Sequence, residues 1–266
     1  MRRATAAALL GLACARMAHA QGATNRAAAY LVASNVSDAR ALWVNPAGLA
    51  TRPEASVLLD LTVVQPGSKG RLEQVTAGFN ARGLSFGYQR DNFTPALHGH
   101  TYKLGLAGNY GGFGAGASIA FHGGANQGTG WDLGVRYDRL ANVTVGGVIR
   151  NIGRPRILGV RQATSLVPAL TLRPLGSVLA LSAEASFASD TNARGYAVEF
   201  EALSPRSPRV GLLARFDTDG SLHRRALLFG LSIGTRDLVG AVGSTPGDFS
   251  TVDAANVYGV SSRTPR

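Results

Sequence analysis

The sequence predicts an all-β membrane protein, an antiparallel outer-membrane β-barrel of about 14 strands with a short N-terminal helical hatch. Three observations carry that expectation. Apolar residues alternate with small or polar ones through most of residues 54–266. Charged residues make up only 16% of the 266-residue chain and glycine is abundant at 34, yet no apolar run reaches the ~20 residues a spanning helix needs. The links between the alternating runs are short at one end and longer at the other, as in barrels of this kind.

The chain opens with Arg2 and Arg3, an apolar stretch, and the small-x-small triplet Ala18-His19-Ala20. That is a secretory signal over residues 1–20, cleaved after Ala20. Cys14 sits in a loose lipoprotein-like box, but Gly11 stands where that box wants leucine, which disfavours lipidation. Cleavage after Ala20 removes the only cysteine, so the mature chain needs no disulfide. The formal charge of +11 falls to +8 when Arg2, Arg3 and Arg16 leave with the signal. An exported basic chain does not normally meet nucleic acid; its basic excess meets membrane lipids, lipopolysaccharide or acidic ligands, or equally is dispersed and only aids solubility.

Residues 21–53 read as the hatch. An alanine-rich stretch from Gly22 to Asn35 has helix-forming composition. It leads into an elbow, Ser37 to Ala50, of one or two helical turns that stop at Pro46. Asn45 precedes that proline and is pushed out of the α region. Gly48 offers a positive-φ turn. The elbow residues Trp43, Asn45, Pro46, Ala47, Gly48 and Leu49 are the candidate plug of a barrel mouth.

Residues 54–266 read as the barrel. The fourteen runs fall near 54–64, 71–79, 82–91, 100–110, 113–122, 129–138, 141–150, 164–173, 177–187, 194–203, 208–217, 223–234, 237–244 and 252–261. Most approach the ~9–11 residues of a tilted spanning strand. The run at 237–244 is weak, and Pro168 interrupts another. Aromatics bracket one apolar face at both ends: Tyr102 and Phe121, Tyr110 and Phe113, Trp131 and Tyr137. A soluble sandwich has no reason to do this, whereas a membrane barrel carries such girdles. If Gly111-Gly112 is a two-residue turn, Tyr110 faces Phe113, Leu104 faces Ile119 and Tyr102 faces Phe121. Both apolar sets then share one face, which a one-residue slip would destroy.

The short links are Asn80-Ala81, Gly111-Gly112, Arg139-Leu140, Pro174 to Gly176 and Thr235-Arg236. Ser204 to Ser207 is longer than that side should carry. The long links include Asn92 to Gly99, Gly123 to Gly128 and Asn151 to Ala163. An even strand count puts both termini on the short-turn, periplasmic side.

An exported chain with an Asn-Pro-Ala-Gly-Leu elbow ahead of such strands resembles the FadL superfamily of outer-membrane barrels, which includes long-chain fatty-acid transporters and PorV-like secretion accessories. The matching positions are Asp38, Ala39, Asn45, Pro46, Ala47, Gly48 and Leu49. The resemblance implies a hatch-closed barrel that binds or passes a hydrophobic or amphipathic small molecule. Its alternative implication is a PorV-type barrel that docks protein partners. Two departures stand out. The chain is shorter than the fatty-acid transporters, and Tyr258 is followed by eight more residues, where these barrels end on Phe or Trp.

The chemistry-bearing residues point to no enzyme, cofactor or metal. By the register above, His100 pairs with Gly123 and His122 with Thr101, so the two histidines face opposite ways. Glu184, Glu199 and Glu201 are placed to form lumenal pairs with Arg136, Arg150 and Arg215. Small inward residues leave room for the hatch. The link from Asn151 to Arg161 combines Arg154, Arg156 and Arg161 with Ile152, Ile157, Leu158 and Val160. That mixture suits an amphipathic anion, clamped by arginine and covered by the aliphatics. It equally suits lipopolysaccharide phosphates.

Overall fold

The computed structural model describes residues 25–52, 54–189, 194–246 and 251–264. The expected signal peptide and the start of the hatch lie outside these. Two single-turn helices, α1 (Ala27–Tyr30) and α2 (Ala41–Val44), and a 3-10 turn (Pro46–Ala50) precede the strands. Fourteen strands then close on themselves: β1 (Ala55–Val64), β2 (Arg71–Ala81), β3 (Leu84–Thr94), β4 (Leu97–Tyr110), β5 (Phe113–Gly124), β6 (Asn126–Leu140), β7 (Val143–Ile152), β10 (Ser165–Leu172), β11 (Leu179–Ala188), β12 (Arg194–Leu203), β13 (Arg209–Asp219), β14 (Arg224–Gly234), β15 (Asp237–Pro246) and β16 (Ala254–Arg263). Each pairs antiparallel with its neighbours, and β1 pairs with β16 to complete the ring. The two-residue strands β8 (Arg156–Ile157) and β9 (Val160–Arg161) form a side hairpin that pairs with the start of β6.

The barrel is inside-out relative to a water-soluble domain. Along β1, Val57 and Leu59 are 59% and 51% exposed, while Ser56, Asp60 and Thr62 are buried. The same alternation runs round the ring, with Leu104, Leu106, Phe229 and Leu231 outward and Thr76, Gln89 and Lys103 inward. Apolar side chains face outward because their solvent there is lipid. Closure leaves no strand edge unpaired, as a bilayer demands. The expected girdles are present. Tyr102, Phe121 and Trp131 lie outward at one end, and Tyr110, Phe113 and Tyr137 outward at the other.

The Tyr110–Phe113 register holds along its whole length, from Tyr110 opposite Phe113 to Tyr102 opposite Phe121. Gly111 and Gly112 have φ of 60° and 82°, the signature of a type I′ turn. The histidines follow: His100 pairs with Gly123 and His122 with Thr101, on opposite faces.

Several boundaries differ from the sequence reading. The turn expected at Asn80-Ala81 is at Arg82-Gly83, with φ of 54° and 97°. Asn80 instead points inward, where its amide holds the hatch carbonyl of Leu49 at 2.9 Å. The turn expected at Arg139-Leu140 falls at Ala141-Asn142, because Asn142 takes the left-handed conformation, φ 60°. Two expected long links are mostly strand: only Pro95 and Ala96 separate β3 from β4, and only Ala125 separates β5 from β6. The weak run at 237–244 is a full strand, β15.

Candidate functional site: the hatch and the cavities beside it

The segment expected to be the hatch packs against the inner wall of the barrel and supplies 13 of the 26 buried apolar residues among those described. Tyr30, Leu42, Val44 and Leu49 are all at most 1% exposed. They pack with the inward residues Leu58, Leu228, Val242 and Val260 of β1 and β14–β16. Val32 and Ala33 form a second cluster with Val148, Val167 and Ala169 of β7 and β10.

The elbow is built as its residues dictate. α2 ends at Asn45, whose φ −153° and ψ 107° are the extended conformation that Pro46 imposes. The Asn45 side chain then accepts from the Ala47 amide at 3.1 Å and caps the 3-10 turn. Its amide donates to the carbonyls of Ala33 at 2.9 Å and Val135 at 3.2 Å. One asparagine thus ties the elbow to the earlier hatch segment and to β6. Gly48 does not take positive φ, contrary to expectation. It lies within the 3-10 turn and is needed for closeness: a Cβ there would lie 2.5 Å from the Val36 carbonyl oxygen. The long helix suggested by the alanines over Gly22 to Asn35 is also absent among the described residues, where only Ala27–Tyr30 is helical.

The wall receives the hatch on a bed of inward glycines. A Cβ on Gly87 would lie 2.7 Å from the Trp43 ring, and one on Gly105 would lie 2.6 Å from Leu42. On Gly116 it would lie 2.5 Å from the Pro46 carbonyl, and on Gly134 it would lie 1.9 Å from Asn45 Oδ1. These glycines belong to β3, β4, β5 and β6. Their small size is the sequence signal for a seated elbow, and each is set by close approach.

Around the bed, polar side chains of the wall satisfy the non-helical hatch backbone. Arg136 Nη1 donates to the Val36 carbonyl at 2.8 Å, Arg150 Nη2 to Val44 at 2.9 Å and Arg215 Nη1 to Leu31 at 3.4 Å. The Tyr30 hydroxyl donates to Asp60 at 2.6 Å, Ser34 meets Thr171 at 2.7 Å, and Asn35 donates to Glu201 at 2.9 Å. Of the expected Glu–Arg pairs, Glu184 does meet Arg215, at 2.7 Å. Arg136 and Arg150 serve hatch carbonyls, and Glu201 serves Asn35. Sequence reasoning missed this anchoring role, because each contact joins residues about a hundred or more positions apart.

Two cavities flank the hatch. The larger, about 520 Å³, lies between the hatch and β11–β16 at the short-turn end, and Leu31, Arg136, Arg173, Leu213, Leu238 and Tyr258 are among its lining residues. Tyr258 therefore points inward. It stacks on Tyr30, with ring centroids 5.3 Å apart, and carries the Arg40 guanidinium over its face. The smaller cavity, about 70 Å³, lies at the opposite end beside Trp43, Lys103, His122 and Asp132. Lys103 and Asp132 form an ion pair there, and the Lys103 ammonium lies 5.4 Å from the centre of the Trp43 ring.

The Arg154–Arg161 segment covers this smaller cavity. Leu158 and Gly159, with φ of 49° and 78°, make the tight turn of the β8–β9 hairpin. Ile157 is buried opposite the buried Asn126, and Pro155 and Ile157 line the cavity. Arg156 and Arg161 are cross-strand partners and both exposed, while Arg154 is half-buried. The hairpin therefore brings two of the three expected arginines together.

No protein-family model matches the sequence, and no curated protein is significantly similar to it. Solved structures do match in fold. The Pseudomonas putida toluene transporter TodX is 11% identical with a TM-score of 0.59, over 89% of this chain and 96% of its own. The Ralstonia pickettii toluene transporter TbuX is 11% identical with a TM-score of 0.57, over 88% and 97%. A Pseudomonas aeruginosa FadL homologue is 10% identical with a TM-score of 0.56, over 86% and 94%. At such identities the likeness is one of fold, and the fold of this chain is that of the FadL-like outer-membrane β-barrels.

Proposed function

We propose that this protein resides in the bacterial outer membrane, exported through a cleaved signal at residues 1–20, and binds or passes a hydrophobic or amphipathic small molecule. Residues 21–53 act as the hatch and residues 54–266 as the barrel. The observation that carries the reading is the cavity of about 520 Å³ between the hatch and β11–β16. Its size is that of a small-molecule site, and it joins aliphatic and polar walls. The toluene transporters of like fold support a small-molecule cargo over a docking role. None of the three relatives described above is a secretion accessory, so the PorV-type alternative draws no support from them.

The β8–β9 hairpin is the proposed outward contact, with Arg156 and Arg161 as a paired cationic face toward an acyl anion or lipopolysaccharide phosphate. The test is flux. Vesicles with a lipopolysaccharide outer leaflet and the mature chain should take up a fluorescent hydrophobic probe faster than protein-free vesicles. Equal rates, with the barrel inserted and folded, overturn the reading.

A further inference from the structure

The larger cavity carries a charge imbalance that passage of a hydrocarbon leaves unexplained. Five arginines and two carboxylates line it. Arg40 and Asp38 neutralise each other through contacts of 2.7–3.2 Å. Glu201 accepts from the neutral amide of Asn35 at 2.9 Å. Arg52, Arg136, Arg173 and Arg209 remain against the one carboxylate of Glu201, and the first three are near enough to repel one another electrostatically. Arg173 donates to neutral oxygens, those of Thr144 and Asn35, at 2.8 and 2.5 Å, and Glu201 is the main opposing charge near it. Arg136 is 6% exposed. One of its nitrogens serves the Val36 carbonyl, but its Nε has no hydrogen-bond acceptor among the described residues, and Asp138 stands off at 3.7 Å. A buried guanidinium nitrogen without an acceptor, beside two like charges, is a costly arrangement. An oxyanion in the cavity relieves both costs at once.

The same cavity also has apolar lining, from Leu31, Leu203, Leu213 and Leu238 with the Tyr258 ring. Inorganic phosphate would satisfy the arginines and leave this wall unused. A neutral hydrocarbon would use the wall and leave the arginines uncompensated. We propose that the cavity is a binding site for an organic oxyanion with a compact apolar body, its head on Arg52, Arg136 and Arg173 and its body against the leucines. Arg52 belongs to the hatch, Arg136 to β6, and Arg173 follows β10. A bound head therefore bridges the hatch to two separate parts of the wall. The site lies at the short-turn end, the periplasmic end in barrels of this class. The inference deepens the transport reading by naming the chemical class read at that cavity.

The test is calorimetric titration of the detergent-purified mature chain with 2-naphthoate, its neutral isostere 2-naphthamide, and inorganic phosphate. Naphthoate should bind at least about tenfold more tightly than either of the others. Arg52→Gln is the informative variant, because Arg52 is exposed and makes no ion pair among the described residues. It should weaken naphthoate about tenfold and leave naphthamide unchanged. Arg209→Gln, on the exposed start of β13 and also at the cavity, should weaken naphthoate less. Equal binding of naphthoate and naphthamide overturns the proposal. So does phosphate binding as tightly as naphthoate, or naphthoate affinity untouched by Arg52→Gln. Anion binding without vesicle flux sinks only the transport reading. Flux without anion binding sinks only this one.

Discussion

Gly134→Ala should unseat the hatch while the barrel stays folded. The new Cβ would lie 1.9 Å from Asn45 Oδ1, 3.0 Å from Pro46 Cδ and 3.1 Å from the Ala47 nitrogen. The β6 backbone cannot retreat, because it is paired on both sides with β5 and β7. The elbow must move instead, and Asn45 is wholly buried. Moving it breaks three hydrogen bonds, to Ala33, Val135 and Ala47. At about 1 kcal/mol each, that is about 3 kcal/mol against the seated state. The ratio of unseated to seated hatch then rises about a hundredfold. The strand ladder does not use the added methyl, so barrel pairing is spared. Single-channel recording in planar bilayers should show an open fraction raised by about that factor, with folding checked by heat-dependent gel mobility. Gly108→Ala is the control, since a Cβ there meets nothing within 4 Å. Wild-type conductance from folded Gly134→Ala would refute the seating argument.

Asn45→Leu removes the cap and both tethers, so it too should raise conductance; an unchanged current from a folded barrel counts against any gating role for the elbow. Cysteines at Gln127 and Thr235 lie at opposite ends of the barrel. In intact cells an impermeant thiol reagent should label Gln127→Cys and spare Thr235→Cys, and equal labelling would contradict the membrane orientation. Replacing both Arg156 and Arg161 by Gln should weaken binding of an acyl anion about tenfold or more and leave a neutral acyl analogue nearly unaffected. If both ligands bind as before, the hairpin is not a capture site.

The strands were legible in the sequence because lipid and lumen impose a period of two directly on the residues. The Tyr110–Phe113 pairing could be worked out residue by residue for that reason. Turn positions were less legible, because two residues carried signals for other duties. Asn80 looks like a turn former and is a hatch anchor. Arg82 takes φ 54° in the actual turn, where propensity favours Gly or Asn. The conformation of the N-terminal segment was not legible. Its alanines favour helix, but the wall's arginines, asparagines and carboxylates satisfy its backbone and polar groups one by one, and tertiary contacts override propensity. The cavity beside it was invisible in the sequence, since its lining comes from β6, β11–β16 and the hatch together.

The elbow of the hatch sits on the glycines of β3–β7, and a cavity of about 520 Å³ remains between the hatch and β11–β16, where the hatch touches the wall more sparsely through contacts such as Tyr30 on Tyr258. That asymmetry predicts that cargo passes beside a seated hatch. A Cβ on Gly146 of β7 would lie 3.3 Å from the Cβ of Ser34 in the hatch. Disulfides join Cβ atoms about 3.5–4.5 Å apart, so a few tenths of an ångström of adjustment suffices. The pair Ser34→Cys and Gly146→Cys should oxidise to a link that fixes the hatch to its bed. The single native cysteine, Cys14, lies in the proposed signal, so the proposed mature chain has none to compete. The link lies on the arc away from the cavity, so probe flux in vesicles should be the same oxidised and reduced. Flux lost on oxidation and restored by a reducing agent would mean that the hatch must leave its glycine bed for anything to pass.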